Sequence, residues 1–122
     1  MIKQAAQKQI QGLMENVERK PAADISDDEL ANWIVLDVRE QFEFEQGHLP
    51  GAINLPRSRM ELLLTQSDEL EQANEKPVLV YCASGKRSLL AAQALTDLGA
   101  NRVVSMDGGF QGWAEKGGAV SG

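Results

Sequence analysis

Cysteine occurs once in this 122-residue chain, at position 82, and histidine once, at position 48. One thiol and one imidazole do not make a Cys/His zinc site, an internal disulfide or a Cys-x-x-Cys redox pair, so covalent sulfur chemistry has to run through a single thiol. That thiol opens the segment CASGKRS, which follows the apolar run VLVY and leads into SLLAAQAL, a stretch of helical composition. A strand that ends in a loop and enters a helix aims several unpaired backbone N–H groups at one point, which makes the loop a cradle for an anion. Cys82 at the first loop position places its sulfur there, near Lys86, Arg87 and the positive end of the helix dipole, all of which favour thiolate over thiol. An ordinary thiol pKa of roughly 8.5 falls by one to several units in such surroundings, so Cys82 is expected to be nucleophilic at neutral pH.

The neighbours of Cys82 fit that role. Gly85 supplies positive φ or close backbone approach without steric cost, which a tight loop of inward-facing amides needs. Ala83 and Ser84 are small and leave room for a reactant over the sulfur. Ser88 is read first as the N-cap of the following helix, with donation of a hydrogen bond into the loop as the alternative. The stretch from residue 76 to 96 holds Lys76, Lys86 and Arg87 and no acid, inside a chain with 12 basic against 18 acidic residues and a net charge of −6.

The elements that must position the loop follow from periodicity. Residues 33–38, WIVLDV, and 78–81, VLVY, are nearly continuous apolar runs of the kind buried parallel strands show, and RVVSM further on is another strand candidate. Helical stretches are expected over residues 58–64, from Ser88 to a stop at Gly99, and around Trp113. Ser26 and Glu29 have capping-box spacing ahead of a short helix. Strands alternating with helices predict an α/β domain with a mostly parallel sheet covered on both faces. Residues 1–20 place Ile2, Ala6, Ile10, Leu13, Met14 and Val17 near one helical face, and Pro21 is read as the end of that helix. The expected organisation is an amphipathic helical extension over 1–20 and a single domain over 21–122.

Composition narrows the partners. An acidic chain, pI near 4.7, does not suit nucleic-acid binding, which draws on clustered Lys and Arg. No apolar run approaches the roughly 18–20 residues of a membrane span, and the first twenty residues lack the apolar core of a secretory signal. The expectation is a cytoplasmic protein whose one free thiol stays reduced, with neither membrane nor nucleic acid as a partner and neither metal nor cofactor.

CASGKRS resembles the active-site loop of the rhodanese sulfurtransferases, which runs Cys, two variable residues, Gly, one variable residue, Arg, then Ser or Thr. VLDVREQFEFEQGHLPGAINLP resembles the upstream signature of that family, and MDGGFQGWAEKGGAV its C-terminal one; the three lie in family order over residues 22–120. The resemblance implies a rhodanese-like domain with a central five-stranded parallel sheet flanked by helices, here with an extra N-terminal helix. It implies Cys82 as the catalytic nucleophile, which takes a sulfane sulfur from thiosulfate or a persulfide donor and hands it to cyanide, a thiol or a protein. Ala83, Ser84, Gly85, Lys86, Arg87 and Ser88 would bind substrate. Arg87 matches the family arginine and would hold a sulfonate or organise the loop through its planar fork, while Lys86, at a variable position, would be a point charge at the mouth.

Loop length separates this loop from the related phosphatases, whose Cys-to-Arg spacing is longer; here only Ala83, Ser84, Gly85 and Lys86 intervene, and none is an acid that could protonate an alcohol leaving group. Asp37 and Arg39 match the family's Asp-Val-Arg element and are read as a structural ion pair at the same edge as Cys82. His48, in GHLPG, is read as a hydrogen-bonded loop residue, Arg57 and Arg59 as rim residues of the pocket, and Phe110 and Trp113 as core. A second class of function is a persulfide carrier or interaction module with little small-molecule turnover, docking through residues 1–20. A homodimer through the same helix is the matching expectation for assembly.

Overall fold

The computed structural model describes residues 1–122, apart from the side chain of Asn74. The apolar runs become the central strands of one sheet. β1 (Glu18–Pro21), β2 (Ile34–Asp37), β3 (Ile53–Asn54), β4 (Val78–Tyr81) and β5 (Val103–Asp107) lie in the order β1-β5-β4-β2-β3, with every neighbouring pair parallel. The helices are α1 (Ile2–Asn16), α2 (Gln41–Glu45), α3 (Met60–Leu64), α4 (Arg87–Asp97) and α5 (Gly109–Glu115). This is the five-stranded parallel α/β architecture expected.

Because successive strand side chains point to opposite faces, each central strand feeds two cores. Ile34, Leu36 and Val38 of the β2 run, Val78, Val80 and Cys82 of the β4 run, and Val103 pack with Met60, Ala91, Ala92 and Leu95 under α3 and α4. Val35, Leu79, Tyr81, Val104 and Met106 face the other way, onto Ile25, Leu30, Leu49 and Trp113 of α5. The register pairs Asp37 with Tyr81 and Val80 with Ser105, so one edge of the sheet gathers the ends of β2 and β4 beside the last turn of β5.

The N-terminal segment differs from the sequence expectation. The helix ends at Asn16, and residues 18–21 form β1, an edge strand parallel to β5. Glu, Arg, Lys and Pro do not read as a strand, but an edge position exposes them to solvent and Pro21 has no inner ladder bond to lose. α1 rests on α4 without burying any of its residues, and Met1 and Ile2 are fully exposed or nearly so. The Ser26–Glu29 capping box is present as reciprocal hydrogen bonds of 2.8 and 3.2 Å, and it opens the short 3-10 helix Asp28–Asn32.

These burials rank two perturbations. Trp113, completely buried, anchors α5 against the sheet; Trp113→Ala is expected to cost roughly 3–5 kcal/mol in denaturant unfolding. Removal of residues 2–16, which uncovers only half-buried contacts, is expected to cost no more than about 1–2 kcal/mol. The reverse ranking would mean that α1 is part of the folding core.

Candidate active site

Cys82 follows directly on the last residue of β4, and the period of the strand turns its side chain toward α4. The residue is only 1% exposed. Its Sγ accepts the N–H of Gly85 at 3.1 Å and lies 3.6 Å from the hydroxyl of Ser88. Burial pushes the thiol up, but hydrogen bonds from the Ser88 hydroxyl and from the backbone N–H groups of Ser88, Gly85 and Ser84 outweigh it and hold Cys82 below the ordinary thiol value. Gly85 has φ of 110°, the left-handed conformation that glycine adopts without strain, while a Cβ there would meet the backbone N of Gly108 only at ordinary contact distance, 3.4 Å.

Ser88 is not the helix cap. Lys86 occupies that position and no side chain caps the helix; Ser88 is fully buried inside the first turn of α4. Its hydroxyl accepts a hydrogen bond of 2.8 Å from Ser105, another fully buried serine, on β5. Occupied from behind by Ser105, the Ser88 hydroxyl has its own proton free to point at the sulfur. Sequence reasoning passed over Ser105. The available signal was the polar break in RVVSM at a position whose alternation matches that of Cys82.

The loop is held from below. Phe110 and Gln111, in the first turn of α5, donate their N–H groups to the carbonyls of Cys82 and Ala83 at 2.8 and 3.1 Å. Gly109 makes this approach possible: a Cβ there would stand 2.5 Å from the carbonyl oxygen of Cys82 and 2.6 Å from that of Ala83, and its φ is +57°. With those carbonyls tied down, the amides that follow are free to face the sulfur.

Asp37 and Arg39 form the structural pair expected, at 2.6 Å between Nη2 and Oδ2, on the opposite face of the sheet from Cys82. Arg39 Nη2 also donates to the carbonyl of Gly47, Tyr81 donates its hydroxyl to Asp37 Oδ2 at 2.7 Å, and the N–H of Leu49 donates to that hydroxyl oxygen. Burial first, then the Asp37 carboxylate, drives the Tyr81 phenol far above its ordinary range, so it remains a neutral donor. The network ties the 37–39 turn and the 47–49 loop to β4. His48 stacks on Phe44 with ring centroids 3.9 Å apart and pairs its backbone with Ser121, the loop role read from sequence. Arg39 lies over the ring of half-buried Phe110, and Trp113 is core.

Of the basic residues, Arg87 and Arg57 are placed differently from the expectation. Lys86 is exposed at the lip. Arg87 does not stand open: it pairs with Glu43 of α2 at 3.1 Å, and that hydrogen bond, more than the Cys82 sulfur nearby, raises its pKa. Residues 76–96 are acid-free in sequence, yet the fold sets a carboxylate against the loop. Arg57, expected at the rim, bonds to Glu61 and faces a groove with Gln9, Leu13 and Leu90 instead of the Cys82 loop. Among the described residues no group of His, Cys, Asp and Glu has a metal-holding arrangement.

Comparison with known proteins places the same residues in a family. The sequence model of the rhodanese-like domain matches residues 19–116. A fission yeast protein (Schizosaccharomyces pombe), named as a candidate mitochondrial thiosulfate sulfurtransferase, is 33% identical over 83% of this chain and 72% of its own. The uncharacterized protein YqhL of Bacillus subtilis is 39% identical over 67% of this chain, and the match spans 61% of the length of YqhL. Among solved structures, a rhodanese-related protein of Thermoplasma volcanium superposes with a TM-score of 0.72 at 35% identity, over 85% of this chain and 97% of the other.

The hydrogen bonds to sulfur predict a titration. Alkylation of Cys82 by iodoacetamide is expected to rise with pH through a midpoint below that of an ordinary thiol. Ser88→Ala should move the midpoint upward by about one pH unit or more, since a hydrogen bond to a charged group is worth about 1.5–3 kcal/mol. Ser105→Ala should move it upward by less, through the loosened Ser88 hydroxyl; a midpoint unmoved in both variants would remove the serines from the account. Gly109→Ala is expected to cost about 1–3 kcal/mol or more in denaturant unfolding and to raise the midpoint as well, because the loop must lift from α5.

Proposed function

The chain belongs to the family of rhodanese-like domains, and from that premise we propose that it is a sulfurtransferase carrying a sulfane sulfur on Cys82. One observation carries the reading: a cysteine sulfur that accepts loop amide and serine hydrogen bonds at the end of a parallel strand, which hold its pKa below the ordinary thiol value, with no second cysteine in the chain. In the first step the Cys82 thiolate attacks the outer sulfur of thiosulfate or of a persulfide. A bond forms between Sγ and that sulfur, the donor's S–S bond breaks, and its electron pair leaves with sulfite or thiolate. In the second step cyanide, a thiol or a protein nucleophile attacks the outer sulfur of the Cys82 persulfide, and the electron pair returns to Sγ. The cysteine is attacker and carrier in turn, a ping-pong scheme. From thiosulfate to cyanide neither step moves a proton, so no general base is called for, and Asp37, Arg39 and Tyr81 serve the frame.

Ala83 and Ser84 are small side chains beside the sulfur, the amides of Ser84, Gly85 and Ser88 stabilise the negative charge, and Lys86 adds a positive charge at the lip. No resolving thiol is present to divert the persulfide into an internal disulfide. The lone thiol fits a reducing compartment such as the cytoplasm; among the described residues no helix is long and apolar enough to cross a membrane.

The carrier reading draws on α1, which lies outside the family match and leaves Ile2 and Ala6 exposed for a protein partner or a second copy. The same experiments address both readings. Incubation with thiosulfate followed by intact mass measurement is expected to add one sulfur atom, removed by cyanide and never seen in Cys82→Ser. No gain of sulfur would refute the reading as a thiosulfate sulfurtransferase. Sulfur uptake with slow turnover, and partner binding or dimerisation lost on removing residues 2–16, would favour the carrier.

A further inference from the structure

The Arg87 guanidinium is already engaged in the absence of substrate. Nη1 and Nη2 donate to the two carboxylate oxygens of Glu43 at 3.1 and 3.3 Å, across 44 residues of sequence. Glu43 Oε1 also accepts the N–H of Glu40 at 3.0 Å, which fixes the carboxylate in the first turn of α2. Glu40 adds its own charge near Arg87. The cleft that opens beside Ala83 is bounded by Glu43, Gln46, Phe110 and Gln111, while Arg39, on its wall, is committed to Asp37 and the Gly47 carbonyl. The arginine that would receive an anionic donor is thus neutralised in advance by a carboxylate that faces the same approach.

We propose that Glu43 is a specificity-determining residue, which discriminates against sulfur donors whose leaving group carries two negative charges and favours those that release a singly charged group, organic persulfides and thiosulfonates. The inference rests on the sulfur-transfer reading. In every case the Sγ–S bond forms as the donor's S–S bond breaks, and the electron pair departs with the leaving group. Thiosulfate releases sulfite, with two charges; methanethiosulfonate releases methanesulfinate, with one; a persulfide releases a thiolate. To hold sulfite, Arg87 must leave Glu43 or share itself with it, and either arrangement sets a dianion against fixed carboxylates. A singly charged leaving group meets less of that opposition.

The test compares thiosulfate with methanethiosulfonate as donors and cyanide as acceptor, in the unaltered chain and in Glu43→Gln. Glutamine keeps the size of the side chain and an oxygen to accept the Glu40 N–H, and removes only the charge. The expected result is a thiosulfate KM lowered by about tenfold, the effect of roughly one unit charge close to a surface site, with kcat changed by less than about twofold. The KM for methanethiosulfonate should fall by no more than about threefold. Glu43→Ala should show the same split, so the test does not depend on the folding of one variant. If both donors respond equally, or neither responds, while sulfur transfer itself proceeds, the inference is overturned and the sulfur-transfer reading stands. If the unaltered chain takes sulfur from neither donor, that reading fails and the inference falls with it.

Discussion

The site depends on where two carbonyl groups point. A loop can turn its amides inward around a sulfur only if the matching carbonyls are satisfied elsewhere, because a buried peptide oxygen without a partner is costly. Phe110 and Gln111 supply those partners for Cys82 and Ala83 from the start of α5, a helix whose first amides have no acceptor of their own. The exchange closes two deficits at once. It is possible because Gly109 lets the backbones meet where a methyl group would collide, and because Trp113, one turn on, pins α5 to the sheet.

Strand parity then separates chemistry from scaffolding. Cys82 turns toward α4 and meets Ser88, with Ser105 behind it; Tyr81, one residue earlier, turns the other way and meets Asp37. Two polar networks therefore share the ends of the same strands without sharing a face. One stabilises charge on sulfur and the other locks loops to the frame. A buried ion pair such as Asp37–Arg39 is a poor source of net stability but a good fixer of geometry, since a lone buried partner is costly. That pair positions α2, whose first turn carries Glu43.

Much of this was legible in sequence because it is local. The apolar runs gave β2, β4 and β5, and the strand–loop–helix pattern placed Cys82, Gly85 and Ser88 in one cradle. For Ser88 the sequence left two readings, a helix cap or a hydrogen bond into the loop, because a serine opening a helix usually caps it; the second is the one found, with the buried partner Ser105, on another strand, behind it. β1 escaped because an edge strand covered on one side needs no apolar alternation, and Glu18 to Lys20 show none. Glu43 escaped for a related reason. A gap of acids along the chain says nothing about acids that the fold brings across it, so the loop looked more positive than it is. Charge is read poorly from sequence wherever two distant loops meet at one sheet edge.

The latch between α5 and the loop has a consequence for how such a loop can change length over evolutionary time. Cys82 and Ala83 are registered against consecutive amides of α5, so an inserted residue before Ser84 would throw the helix and the cradle out of step. Beyond Ala83 the backbone makes no hydrogen bond to α5: Ser84 and Lys86 are exposed, and Gly85 already bends through left-handed space. Tolerance to insertion is thus confined to one half of the ring. A lineage that needed a wider opening, for a bulkier reactant than a sulfur atom, would have to lengthen the segment between Ser84 and Arg87 and leave the cysteine side untouched.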